Sequence, residues 1–523
     1  TYFYHPTWYI VSTCCLAAGT FLIWLGVFYW LASPKFKVLF ERLIWIFCIS
    51  ALVGYMFFGT DLGIISASLQ YDNGMDFTWK EQLINLAVLG LLAGILLFAA
   101  FKWQHIIIPV MLSVCIALGG MAAWNIGNIQ KSIAVLASFQ DTDEFPHIEL
   151  SKHDKNVVVI MLDRAMGEYV PYILKEKPHL KSQFAGFTYY DNTISFGSHT
   201  NFGTPPLYGG YEYTPVEMNK RDKELLADKH NEALRVMPVV FWENGYDVTV
   251  CEQPYANYQY VTDFSIYDDY PEINTFYTFG KFADPRVKQA VISQTRRNFF
   301  CFSIMKTLPL FLQETVYDEG RYLQAATAEI PRSIGQTIHS LSTATGTNAT
   351  FMEQYHMLDH LPAITSASEE KGDTFYLMSN EITHSRMLLQ TPNYIPSDNV
   401  DNTAYDASHT SRFTVDGKTL KMETEKQMSS YHANMAAFLN LGRWMEHLRD
   451  LGIYDNTKII LVADHGFALG QIEQWPTTVS PESPTETRGV EAYYPLLMVK
   501  DFNSQKFEIS HEFMTNADVP TLA

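Results

Sequence analysis

Cysteine is scarce, with six in 523 residues. Cys14, Cys15, Cys48 and Cys115 lie in apolar runs, so only Cys251 and Cys301 remain elsewhere. That excludes a disulfide framework and leaves room for one bridge at most. No CxxC pair, zinc-finger spacing, P-loop or GxGxxG occurs. The chain therefore lacks the usual backbone cradles for nucleotides. Basic residues are also short, 37 Lys+Arg against 56 Asp+Glu, for a net charge of −19. Such a chain is a poor nucleic-acid binder. The deficit is uneven. Residues 1–132 hold six basic and five acidic residues, a net of +1, and the remainder holds 31 and 51, a net of −20. An acidic domain follows an almost uncharged one.

Apolar sequence is abundant. Four stretches, Ile10–Ala32, Leu43–Thr60, Leu83–Phe101 and His105–Ile126, approach the ~20 residues of a membrane helix. Four such runs leave almost no polar face, which argues against buried helices of a soluble protein. The connectors set an expected orientation. Lys35, Lys37 and Arg42 follow the first run and Lys102 follows the third, while loop 61–82 carries Asp61, Asp72, Asp76 and Glu81 against Lys80. The positive-inside rule then places loop 61–82, the N-terminus and everything after the fourth run outside a cell membrane. With no initiator Met, an outside N-terminus predicts an earlier span missing upstream. The expected domains are a transmembrane helix bundle at 1–126, a linker or interfacial helix at 127–152, and an extracytoplasmic α/β domain at 153–523 with a central sheet flanked by helices.

Two distant stretches organise the large domain. Asn156–Asp163 reads NVVVIMLD, and Lys458–Gly466 reads KIILVADHG. Each is a Val/Ile-rich run, the pattern of a strand covered on both faces, and each ends abruptly in acid. Chemistry in open α/β sheets collects beyond the carboxyl ends of the strands. If the two strands are neighbours, Asp163, Asp464 and His465 converge into a cage for one divalent ion, Zn or Mn.

Between them lies Ser195–Gly210, dense in hydroxyls, Gly and Pro. Its prolines argue against a regular helix or central strand. A long turn is the bland reading. Thr200, however, falls where the turn meets a following helix, and the free N–H groups of a helix start favour phosphate. A hydroxyl beside a metal there becomes a nucleophile, with Ser198 and Thr204 as rivals. Further expectations are a helix at Asn219–Arg235, strands at Tyr246–Cys251, Thr374–Met378 and Glu491–Lys500, and a helix at Met428–Arg449. Residues 286–330 read as helical surface or a membrane-facing lobe. The Tyr-rich stretch Tyr255–Phe279 suits either a sugar cleft or plain packing.

NVVVIMLD, SHTNFGTPPLYGG, THS and YDNTKIILVADHG together resemble the sulfatase-like branch of the alkaline phosphatase superfamily. Within it, the chain resembles the membrane-anchored phosphoglycerol and phosphoethanolamine transferases, with lipoteichoic acid synthase as type case. The CxPxR motif of formylglycine sulfatases is absent. The resemblance implies one metal ion, Mn or Zn with Mg possible, on Asp163, Thr200, Asp464 and His465. It implies Thr200 as the nucleophile and His384 at the substrate phosphate or leaving group; Arg164 and Asn201 are further substrate-binding candidates. The implied reaction moves a phosphoglycerol-type head group from a membrane phospholipid, through a covalent threonine, to a cell-surface glycan or polymer. Phosphoethanolamine transfer, phosphodiester or sulfatase-like hydrolysis, and a non-catalytic glycan-binding scaffold are the alternatives.

Overall fold

The computed structural model describes residues 6–60, 62, 65, 69, 71, 75–140, 147–259, 262–278, 280–283, 285–323, 336–471, 477–480 and 483–523. Of the residues used above, Asp61, Asp72 and Phe279 lie outside them. The chain forms two compact units. One comprises 1–141 with 288–329, the other 142–287 with 330–523.

In the first unit, three helices are long and apolar enough to cross a membrane: Pro6–Leu31, Trp79–Lys102 and His105–Lys131. The expected run at Leu43–Thr60 falls in helix Pro34–Phe57, which is not among the three. Lys35, Lys37, Glu41 and Arg42 crowd its first turns. Leu22, Trp24, Trp30, Leu91, Ile108 and Trp124 are exposed on these helices. Apolar side chains on every face suit lipid rather than water. A capping box of Thr78 and Glu81 starts Trp79–Lys102, satisfying N–H groups that the first turn leaves free. The last long helix runs from Gln104 to Gln140.

Residues 288–329 join this unit through helices Pro285–Met305 and Leu310–Tyr317. Lys306 Nζ donates to Gly59 O at 2.6 Å, and Leu310 N donates to Asn85 Oδ1 at 3.1 Å. Phe77 N donates to Glu314 Oε1 at 2.5 Å. Leu69, Met305, Tyr317 and Tyr322 form a small buried cluster. The helix pair is thus locked to the end of Pro34–Phe57 and the start of Trp79–Lys102.

The second unit is built on an eight-stranded mixed sheet. Its spatial order is Glu508–Thr515, Phe187–Ile194, Leu497–Lys500, Thr457–Val462, Asn156–Leu162, Thr374–Asn380, Asp247–Cys251, Asn274–Phe276. Only Leu497–Lys500 runs antiparallel to its neighbours. Asn156–Leu162 is buried along its whole length, as its unbroken apolar sequence requires. It pairs in parallel with Thr457–Val462 on one side and Thr374–Asn380 on the other. This is the expected architecture of apolar N-terminal helices followed by a central sheet flanked by helices. Helix Glu425–Asp450 begins at a Thr424/Gln427 capping box and contributes Met435, Phe438, Leu441, Trp444 and Leu448 to the core. Trp444 Nε1 donates to Thr365 Oγ1 at 3.0 Å.

Several local readings change. A helix starts at Thr200, as expected, but Thr200–Gly209 runs through Pro205 and Pro206, which argued against a regular helix in this segment. It is short, so the two prolines remove only the bonds to the Asn201 and Phe202 carbonyls. The helix after Asn219 begins only at Leu226 and continues to Glu243. Glu491–Lys500 is a 3₁₀ turn followed by a short strand from Leu497. In the Tyr-rich stretch, Tyr267 and Tyr277 are buried and hydrogen-bonded to Gln253 Oε1 at 2.7 Å and Thr262 O at 2.6 Å, so these two are packing, not a sugar platform. All six cysteines are free thiols.

The unit boundaries generate a prediction. A fragment of residues 147–523 carries 288–329 without Leu69, Gly59 and Asn85. It is expected to aggregate without detergent. The same fragment with 288–329 replaced by a Gly/Ser loop is expected to run as a discrete soluble species on size-exclusion chromatography. Equal solubility of the two would contradict this division.

Candidate functional site

The sheet register builds the site. Val462 pairs with Met161, and Leu162 pairs with Asn380. The residues that leave these three parallel strands, Asp163, Glu381 and Asp464, therefore emerge side by side. Asp163 N donates to Asn380 O at 3.0 Å, and Ala463 N donates to Leu496 O at 2.9 Å. Arg164 then adopts φ +65°, a left-handed conformation that is costly for a side chain other than Gly. The sharp turn lets Arg164 N donate to Asp464 Oδ1 at 3.1 Å, where His465 N also donates at 2.9 Å.

Asp163, Asp464 and His465 are buried, and one potential ligand atom from each lies within 4.8 Å of the others. His465 Nε2 is 3.6 Å from Asp464 Oδ2 and 4.0 Å from Asp163 Oδ1. His465 Nδ1 is bonded to Gly466 O at 2.6 Å. That bond assigns the proton to Nδ1 and leaves Nε2 as a lone-pair donor facing the carboxylates. Asp163 Oδ1, Asp464 Oδ2 and His465 Nε2 are buried without a hydrogen-bond partner. Three orphaned acceptors converging on one point fit a cation and little else. Oxygen and nitrogen donors of this kind suit Zn or Mn alike. Among the described residues this is the one His/Cys/Asp/Glu group so arranged.

Burial, reinforced by Asp464 and Glu381, holds the Asp163 carboxyl well above its usual range; Arg164 and Thr200 pull the other way. Thr200 opens its helix, and its Oγ1 donates to Asp163 Oδ2 at 3.3 Å. His199 precedes it with extended backbone and an exposed side chain. Thr204, the rival hydroxyl, donates to Thr200 O at 2.7 Å and is fully buried. Ser198 bonds to the neighbouring His199 ring at 3.0 Å. Asn201 is half-buried one residue further along the helix. Two glycines enable the approach. A Cβ on Gly203 would meet Asp464 O at 2.3 Å, and one on Gly466 would meet Glu491 O at 2.2 Å.

His384 is half-buried near the cluster. Burial first, then Arg164, pushes its ring down to about 4, so it is neutral at neutral pH. The helix Glu425–Asp450 supports this segment, since Leu389 N donates to His432 Nδ1 at 3.0 Å. Sequence reasoning missed Arg386, Phe467 and Glu381. The Arg164 and Arg386 guanidinium groups lie 4.5 and 5.1 Å from the Phe467 ring. Arg164 Nε and Arg386 Nη1 are buried and unpartnered, so each has a donor to offer an anion. Burial and Glu252 raise Glu381 to about 7. Proximity to the THS and DHG motifs was the only signal for these three.

No protein-family model matches the chain, and no curated protein matches it. Among solved structures it is similar to the lipoteichoic acid synthase LtaP from Listeria monocytogenes, at 14% identity over 70% of each chain, with a TM-score of 0.35. It is also similar to the phosphonate monoester hydrolase of Agrobacterium radiobacter, at 14% identity over 70% of this chain and 72% of that one, with a TM-score of 0.34. A third is the C-terminal periplasmic domain of EcEptC from Escherichia coli, at 8% identity over 72% and 84%, with a TM-score of 0.33.

The orphaned acceptors lead to a metal prediction with a definite sign in pH. Metal-supplemented full-length protein is expected to hold one divalent ion per chain by elemental analysis, and Asp464→Ala to lose it. In the metal-free protein the folded Asp163 carboxyl sits above its unfolded value. Its contribution therefore turns unfavourable as pH rises through the unfolded value and grows until the folded value is passed. Chelation should then lower Tm more at pH 8 than at pH 5. Asp163→Asn should make the metal-free protein more stable than wild type at pH 8 by on the order of 1–3 kcal/mol. Thermal melts with and without chelator check both.

Proposed function

We propose that the chain is a metal-dependent phosphoryl-transfer enzyme of the alkaline phosphatase superfamily, and that it moves a phosphoglycerol-type lipid head group to a cell-surface glycan or polymer. The observation that carries this reading is the Thr200 hydroxyl, poised at a helix start 3.3 Å from a carboxylate of the orphaned Asp163, Asp464 and His465 group. A divalent ion held by those three residues beside Thr200 would lower the hydroxyl's pKa and offset charge on phosphoryl oxygens.

The chain's own residues supply the rest. Asp163 Oδ2 accepts from the Thr200 hydroxyl and orients it for in-line attack on phosphorus. The Thr200 Oγ–P bond forms as the P–O bond to diacylglycerol breaks. The Thr200 proton passes to Asp163 Oδ2; His384, neutral at rest, hydrogen-bonds the leaving oxygen, which takes its proton from solvent, and in the second step His384 accepts the proton of the incoming glycan hydroxyl while the departing Thr200 Oγ regains the one on Asp163. That hydroxyl then displaces Thr200. The unpartnered donors of Arg164 and Arg386 favour an anionic phosphodiester over a neutral substrate. They also disfavour a cationic head group, which supports glycerol over ethanolamine. Glu381 favours the second reading, since a buried carboxylate there could pair with an ethanolamine ammonium.

The three apolar helices fit a membrane enzyme whose donor is a lipid. In the proposed topology the large unit lies outside the plasma membrane, where no ATP is available and the lipid itself is the activated donor.

The test uses the full-length protein and donor lipids labelled in the head group. Mass spectrometry is expected to find an adduct on Thr200 whose mass follows the donor, phosphoglycerol from phosphatidylglycerol and phosphoethanolamine from phosphatidylethanolamine if that lipid serves. Thr200→Ala should carry no label. His384→Gln should lower kcat by about 10²–10⁴-fold without removing the adduct site. Full transfer by Thr200→Ala ends this mechanism.

A further inference from the structure

Residues 466–471, which follow the Asp464-His465 pair, lie in neither helix nor strand. An irregular segment must still answer its backbone polar groups. One side chain answers three of the N–H groups here. Glu491 Oε2 accepts from Leu469 N at 2.7 Å and from Gly470 N at 2.6 Å, and Oε1 accepts from Gln471 N at 2.7 Å. Successive N–H groups closing on one anion form a nest, and Gly470 supplies its left-handed residue at φ +64°. The carbonyls go elsewhere: Gln427 Nε2 donates to Leu469 O at 2.9 Å and Lys421 N to Gln471 O at 3.0 Å. Glu491 is 2% exposed, so its carboxylate belongs to the interior.

This segment carries Phe467. The turn Val490–Tyr493 grips it on both sides. Gly466 N donates to Ala492 O at 2.9 Å just before the ring, and the Glu491 nest follows just after it. The Phe467 ring in turn carries the Arg164 and Arg386 guanidinium groups at 4.5 and 5.1 Å, and each offers a buried, unpartnered donor. Two guanidinium groups on one ring repel, so their placement depends on where the ring is fixed. A carboxylate is the side chain that suits the nest. Both of its oxygens accept, whereas an amide of the same size offers one acceptor and turns its NH₂ on a backbone N–H.

We propose that Glu491 is a positioning residue: its carboxylate fills the nest at 469–471, fixes Phe467, and thereby sets the two guanidinium groups that receive the anionic group of the substrate. It acts through backbone and ring, so it governs how tightly an anion binds more than how fast the bond to Thr200 forms. Asp163, Asp464 and His465 converge through the sheet register and the Arg164 turn, so the metal group is assembled without it. The kinetic side of this role rests on the phosphoryl-transfer reading above, and the anion-binding side does not.

The test compares metal-loaded full-length wild type with Glu491→Ala, Glu491→Gln and Arg386→Gln. Inorganic phosphate is the binding probe, titrated by calorimetry. Glu491→Ala is expected to keep its divalent ion by elemental analysis and to bind phosphate about tenfold more weakly. With labelled phosphatidylglycerol its KM should rise about tenfold, while kcat falls about twofold or less. The substitution leaves a space that acetate matches. Acetate should therefore restore both phosphate affinity and Tm to Glu491→Ala, and should not restore affinity to Arg386→Gln. A residue that only fills volume would show no such recovery. Loss of the ion, a fall in kcat at constant KM, unchanged phosphate affinity, or no response to acetate overturns the proposal. If Glu491→Ala fails to fold, Glu491→Gln decides, and wild-type phosphate affinity in that variant overturns it. A wild type without transfer activity refutes the reaction at Thr200 and leaves the phosphate and acetate readouts to judge Glu491.

Discussion

Two carboxylates and an imidazole are held together in a buried space, with one lone-pair atom on each left unanswered. Every other feature of the site is arranged around that constraint. Burial, with a second carboxylate alongside, raises the proton affinity of Asp163 and opposes folding with its carboxylate ionised. The chain tolerates the arrangement because rigid elements impose it. Two backbone N–H groups engage Asp464 Oδ1, and one strained residue, Arg164, makes the turn that allows it. A cluster that opposes folding in this way is coherent only as a site whose stabilising partner arrives from outside.

The sheet is what makes the constraint affordable. Neighbouring parallel strands carry Asp163, Glu381 and Asp464 to one edge in register, so no flexible loop has to hold them. The nucleophile segment is then brought in by backbone rather than by side-chain reach. Gly203 permits contact with the Asp464 carbonyl, and Asn516 bridges Gly203 O and Asp464 O at 2.8 and 3.1 Å. Phe467 links the motif to charge. It sits two residues beyond His465 and carries two guanidinium groups on its ring, so the residues that hold a cation are covalently adjacent to those that would hold an anion.

What was legible in the sequence follows from how local each signal is. Asn156–Leu162 and Thr457–Val462 could be read as strands because unbroken β-branched runs need burial on both faces. Their adjacency, and with it the meeting of Asp163, Asp464 and His465, could only be posed as a condition, since pairing of residues 300 apart leaves no local trace. Thr200 was legible as a helix start. The helix through Pro205 and Pro206 was not, because in a helix this short the prolines remove only two backbone bonds, too few for a strong local breaker to prevail. Arg386 was invisible for a similar reason: an arginine in a polar loop has no pattern until Phe467 and Arg164 are seen beside it. The apolar runs were plain by composition, but Pro34–Phe57 shows that a run and a membrane-length apolar helix are different things when charges occupy the first turns.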